Sequence, residues 1–150
     1  MRLDSSRLAS SRLDSSAFFA DRELIEALAV RSHSIDCSQD RVLFSQGDSP
    51  TGLYLLHQGE ATLTMRSAHG EVTLCVVCIQ TAAGSLLGLP GIVSDEPYSL
   101  AAVAHQGAQV SFISRDDFAA LILREPQISL KLLRVLAAEV RTARQALLAA

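Results

Sequence analysis

Between Arg41 and Ser114 the chain is a succession of short β-type runs, and this spacing restricts the accessible folds more than any other feature. The runs read RVLF, GLYLLHQGEATLTM, EVTLCVVCIQ, SLAAVA and AQVSFIS, with the turn signals QGDSP, SAHG, AAG and HQG between them. Strands this closely spaced pair with their sequence neighbours, which predicts a small antiparallel barrel or sandwich. At 150 residues the chain suits one domain with a sizeable core, and a second folded unit is not expected.

Helical patterns flank the β region. In FFADRELIEALAV, residues Phe18, Leu24, Ile25 and Leu28 fall at helical spacing with acidic residues early, which predicts an amphipathic helix. Ser114, followed three residues later by Asp117, resembles a capping arrangement for RDDFAALILR; Pro126 then ends that helix and opens the next. The final pattern, PQISLKLLRVLAAEVRTARQALLAA, has two apolar faces. Leu133, Leu136, Val140, Ala143 and Leu147 advance in alternating steps of three and four, the seam of a two-stranded coiled coil. Ile128, Leu132 and Val135 lie off that seam and are expected to pack on the barrel. A helix shared between its own barrel and a second subunit, hence a homodimer, is the expectation.

The expected organisation is a flexible serine-rich tail over 1–16, a β-roll with flanking helices over 17–125 and a dimerisation helix over 126–150. The tail repeats RLDSS, RLASS, RLDSS. Five helical steps rotate by about 140°, so Leu3, Leu8 and Leu13 would not share a face.

Net charge is −3, which supplies no broad positive field for nucleic acid or anionic lipid. Val72 to Ser94 is uncharged and long enough to cross a bilayer, but Gly84, Gly88, Pro90 and Gly91 interrupt it and its β-branched residues favour a buried strand. No membrane association is expected. The amino terminus lacks the apolar segment of a secretory signal, and three cysteines do not make a disulfide framework, so a cytoplasmic location is expected. Cys75 and Cys78, three apart on a strand, would point to opposite faces rather than share a metal; both are expected to be buried structural thiols. The four histidines show no H-x-H spacing, and no catalytic residue, metal site or cofactor is assigned.

The ordered set FSQGDSPTGLYLLHQGEATL, AAGSLLGLPG, YSLAAVA and FISRDDFAALILREP resembles the cyclic-nucleotide-binding domain of the catabolite-activator and fumarate-nitrate-reductase regulator family, over roughly residues 18–145. The resemblance implies a mainly β fold with flanking helices: an antiparallel, jelly-roll-like β-roll plus a long C-terminal helix. Gly47, Asp48, Leu53, Tyr54 and Gly59 match its opening motif. Gly47 and Gly59 are expected where strands reverse, because glycine tolerates positive φ, and Asp48 can close a turn through its carboxylate.

The resemblance also makes Gly84 to Val103 the counterpart of the family's phosphate-binding cassette. There a Gly-Glu pair opens a short helix and an Arg followed by a small hydroxyl residue completes the site. Backbone N–H groups and the Arg hold the cyclic phosphate, and the Glu accepts from the ribose hydroxyl. Here Gly88 matches the glycine, Leu89 stands where the Glu belongs, Pro90 and Gly91 continue the helix, Tyr98 stands where the Arg belongs and Ser99 matches the hydroxyl residue. No Lys or Arg lies between Arg66 and Arg115. Losing one charge-assisted partner costs about 1.5–3 kcal/mol, roughly tenfold or more in affinity, so cyclic AMP and cyclic GMP are disfavoured. Leu86, Leu87, Leu89, Ile92 and Tyr98 would either line a pocket for another small, apolar effector or fill the space themselves. From the long helix, Arg141, Thr142 and Arg144 are candidate contacts. The family continues into a DNA-binding helix-turn-helix that this chain lacks, so no direct DNA binding is expected.

Overall fold

The computed structural model describes residues 14–79 and 84–149, so most of the serine-rich repeat lies outside the described residues. A 3-10 turn at Ser15–Phe18 leads into β1 (Phe19–Ala20) and helix α1 (Arg22–Ala29). Strands β2 (His33–Ile35), β3 (Arg41–Phe44), β4 (Gly52–Ser67), β5 (Gly70–Ile79) and β6 (Gly84–Leu87) follow. A short helix α2 (Leu89–Ser94) precedes β7 (Ala101–Ala104) and β8 (Gln109–Ser114). Helices α3 (Arg115–Arg124) and α4 (Gln127–Ala149) complete the order. The fold is mainly antiparallel β with flanking helices and a long C-terminal helix, as the sequence predicts.

All strand pairs are antiparallel, and β4 organises them. Its first half, Gly52 to Gln58, pairs with β6 and β8 in one leaf, whose edges are β1 and β2; its second half, Gly59 to Ser67, pairs with β5 and β7 in the other, where β7 also holds β3. Gly59 sits at the crossing with φ of 100°. The sequence places a strand reversal there; the observed strand instead runs through and changes leaf. A Cβ on Gly59 would lie 2.7 Å from the Ala108 Cα, so both backbone conformation and a close backbone approach demand glycine. Gly47 does occupy a reversal, with φ of 92°, and the Asp48 carboxylate accepts from the Ser45 amide at 3.1 Å.

Period-two alternation on β4 separates two cores. Tyr54 and Leu56 face the interior of the roll with Phe44, Leu63, Val77, Leu87 and Tyr98, whereas Leu53 and Leu55 face the helices with Leu24, Leu28, Leu86, Leu89 and Leu121. Helix α1 begins later than expected: Asp21 caps it, accepting from the Leu24 amide at 2.8 Å. Phe18 therefore lies outside the helix, in the 3-10 turn, and the short β1 pairs Phe19 with Ser85. Ser114 caps α3 as predicted, accepting from the Asp117 amide at 3.1 Å.

On α4 the two predicted faces separate. Ile128, Leu132 and Val135 are buried on the roll, while Leu133, Val140 and Leu147 are exposed by 59%, 49% and 78%. Ala143 is exposed too, and Leu136 is half-buried against the helical core. On β5, Cys75 is buried and Cys78 exposed, so opposite faces are as expected but only Cys75 is a buried thiol of the pair.

The Gly59 crossing gives a paired test. Gly59→Ala should destabilise the chain by about 2–4 kcal/mol, combining the left-handed penalty with a backbone clash, whereas Gly70→Ala, at φ of 111° with open space around it, should cost only about 1–2 kcal/mol. Urea denaturation monitored by circular dichroism reads the difference.

Candidate functional site

Gly84 to Val103, the segment expected to match the cassette, folds as β6, the short helix α2 and most of β7, and its polar contacts are to the chain's own backbone and side chains. Gly88 adopts φ of 95° immediately before α2, and Pro90 stands in the first turn, where its missing N–H leaves no intrahelical bond unmade. Helix α2 ends at Asp95, itself left-handed at φ of 58°. Arg115 fixes that end: its guanidinium meets the Asp95 carboxylate at 2.7 Å and donates to the Pro50 carbonyl at 3.3 Å. The cation nearest in sequence on the C-terminal side of the cassette is thus engaged at the far end of its helix.

Tyr98, expected where the family's Arg belongs, is buried. Its hydroxyl donates to the Gly52 carbonyl at 2.6 Å and accepts from the Thr51 and Gly52 amides at 3.2 Å each. Its ring stacks on Phe44, centroids 4.2 Å apart and planes at 24°. Cβ atoms on Gly88 and Gly91 would lie 3.0 and 3.2 Å from that ring. Both cassette glycines therefore make room for the tyrosine. The Tyr98 amide donates to the Asp48 carbonyl at 3.0 Å, and its carbonyl accepts from the Gly47 amide at 2.8 Å.

Leu89, expected where the family's Glu belongs, is wholly buried among the helix-facing leucines, with Leu86 and Ile92. Leu87 faces the roll interior. Pro90 and Ser99 are exposed. The structure thus brings Gly88, Gly91 and Tyr98 together, and turns Leu89 away toward the helices. Arg141 and Arg144 are exposed and Thr142 is half-buried.

Glu139 is the polar group that the long helix does bury. Its Oε2 is buried and without a hydrogen-bond partner, and burial pushes the carboxyl up to about 8. The signal was in the sequence: steps of four and three from Ile128, Leu132 and Val135 land on Glu139 and then Thr142. Across the interior, burial first, then the charges of Asp14 and Glu139, push the Cys75 thiol up to about 12, so it stays neutral. Asp14 is held below the usual carboxylate range by hydrogen bonds from Ser16.

Histidines sit elsewhere and bond to hydroxyls, His57 Nε2 to Ser111 Oγ and His105 Nε2 to Thr62 Oγ1, each at 2.6 Å. Burial pushes His57 down, favouring the neutral ring. Among the described residues no cluster of three or more His, Cys, Asp or Glu could hold a metal ion, and no helix is long and apolar enough to cross a membrane.

A β-roll with a glycine-led short helix opposite a long C-terminal helix defines a cyclic-nucleotide-binding-type module. The family model for the cyclic nucleotide-binding domain matches residues 34–125, and the chain belongs to that family. A curated relative, the cyclic AMP receptor protein of Thermus thermophilus, is 31% identical over 106 residues, covering 70% of this chain and 47% of the relative. The crystal structure of a Thermus thermophilus catabolite activator protein superposes with a TM-score of 0.72 at 28% identity, covering 83% of this chain and 57% of that one. The N-terminal domain of a Streptomyces coelicolor A3(2) transcriptional regulator shares the fold, with a TM-score of 0.61 at 23% identity and coverages of 84% and 88%. The chain spans about half the length of the curated relative.

Glu139 makes stability depend on pH. Its folded value, about 8, lies above the ordinary 4.5, so between these limits the folded chain keeps a proton that the unfolded chain has lost. Stability from this group is present below that window and falls as pH rises through it. Glu139→Gln should remove this fall and be more stable than the native chain at pH above 8 by about 1–3 kcal/mol, with the advantage shrinking toward the acid end of the window. Thermal melts across the range check the sign.

Proposed function

We propose that the chain is a non-catalytic regulatory module whose cassette keeps the family's fold but does not hold a cyclic nucleotide through a cation and a carboxylate. The observation that carries this reading is Tyr98, whose hydroxyl is consumed by the Thr51–Gly52 backbone and whose ring fills the space beneath α2. An Arg at this position would bring its charge into an apolar stack, and Leu89 offers no acceptor for a ribose hydroxyl. Leu86, Leu87 and Leu89 are fully buried, which supports a cavity occupied by the chain's own side chains. Calorimetry with cyclic AMP and cyclic GMP should show no binding in the micromolar range; micromolar affinity for either would overturn the reading.

The second element is self-association through α4. Leu133, Val140 and Leu147 recur on its exposed side at coiled-coil spacing, and a partner's equivalent face would remove them from water. A cytoplasmic homodimer, in which an effector acts by changing how two α4 helices pack, is the proposed arrangement. With a net charge of −3, no DNA contact is assigned to this chain. Sedimentation at micromolar concentration should give a dimer, and Leu133→Glu with Leu147→Glu should give a folded monomer. A monomeric native chain would refute the dimer.

A further inference from the structure

We propose that Asp14–Ala20 is a displaceable strap that closes the interior of the roll beneath α4, so that an effector gains access only by expelling it. The inference rests on the reading of the chain as a regulatory module and specifies how its site is controlled.

Placement comes first. Phe18 is 4% exposed and belongs to the same interior cluster as Tyr98, Leu63, Cys75, Val77 and Leu87. The 3-10 turn that carries it lies against β5 and β6 on one side and α4 on the other. It is therefore inserted between the roll and the helix instead of lying on the outside of either.

The attachment is slight for so central a position. Strand β1 has two residues and pairs at a sheet edge, Phe19 with Ser85 and Ala20 with Gly84. Beyond that ladder, the Ser85 hydroxyl donates to the Phe18 carbonyl at 2.9 Å. The turn is closed locally, by the Ala17 amide on the Asp14 carbonyl and the Ser16 amide on the Asp14 carboxylate, both at 3.0 Å. Such a segment can leave as a unit, carrying its turn bonds with it, while the eight-residue α1 stays capped by its own Asp21. Departure must break the two-residue ladder and the Ser85 hydrogen bond and expose Ala17, Phe18 and Ala20, of which only Phe18 is large.

The space left behind dictates what would enter. With Phe18 gone, the interior it leaves holds Leu63, Val77 and Leu87, while on the outer side of the strap Phe19 and Ala20 share a cavity with Val135, Arg134 and Lys131, the last held by Asp21 and Glu23. A small molecule with an aromatic or aliphatic body suits that apolar interior.

Hydrogen exchange on the unsubstituted full-length chain tests the strap directly. Amides of the β1–β6 ladder should exchange by local opening, at least about 100-fold faster than those of Leu53 and Leu55 in the β4–β8 ladder. In the full-length Phe18→Ala variant, binding of the apolar dye anilinonaphthalene sulfonate should tighten at least about tenfold with the β circular dichroism spectrum retained. Protection of the β1–β6 amides equal to that of Leu55 would overturn the proposal. So would a folded Phe18→Ala chain with unchanged dye binding, or one that fails to fold, since a displaceable strap leaves the fold intact. Neither readout uses a nucleotide, so binding of cyclic AMP would fail the cassette reading alone and remain distinguishable from failure of the strap.

Discussion

One buried phenol holds the cassette to the roll. Through its hydroxyl Tyr98 reaches the first residues of β4, through its ring Phe44 at the end of β3, and through its backbone the Gly47–Asp48 turn. Three hydrogen bonds to one hydroxyl satisfy it fully in an apolar setting, where any unmade bond would be costly. The consequence for chemistry follows from the same contacts. The segment from Gly88 to Tyr98 is a joint between secondary structures, and the conformation of Gly88 and the smallness of Gly91 serve that joint.

Much of the fold was legible because it was written in local signals. The five β runs, the Ser114 cap, the Gly47–Asp48 turn and the split of α4 into a buried and an exposed stripe all follow from neighbour spacing, which a single sequence displays. What escaped were features decided over distance. Strands β1 and β2 have two and three residues, too few to show a period, and the four of β6 are all buried and show no alternation. Phe18 read as helical because its spacing to Leu24 and Leu28 suits a helix, yet Asp21 supplies the earlier stop and sends it into the roll. Gly59 read as a reversal because glycine marks both reversals and crossings, and only the approach of Ala108 distinguishes them.

The cassette was legible in a different sense. The absence of the charged pair at Leu89 and Tyr98 was plain, but the fate of each replacement was not. Tyr98 finds its acceptor 46 residues earlier in the chain, and Leu89 joins a core assembled from four helices and from β1, β4, β6 and β8. Glu139 shows the converse: its polarity argued for an exposed position, while its place on the buried stripe of α4 decided otherwise.

The sharing of β4 between both leaves bears on the order in which the molecule assembles. Its far half closes onto β5 through a two-residue link, Ala68–His69, an inexpensive local hairpin. Its near half must wait for β8, with Gly52 paired to Ser114 across most of the β region. Loop closure is slow for such distant partners, so the second leaf is seeded by a hairpin and the first is completed only when the end of the β region returns. The cassette lies wholly within that interval. Its tie to Gly52 through Tyr98 closes a span of 46 residues, shorter than that to Ser114, so the cassette can dock on the strand that began the process before β8 returns.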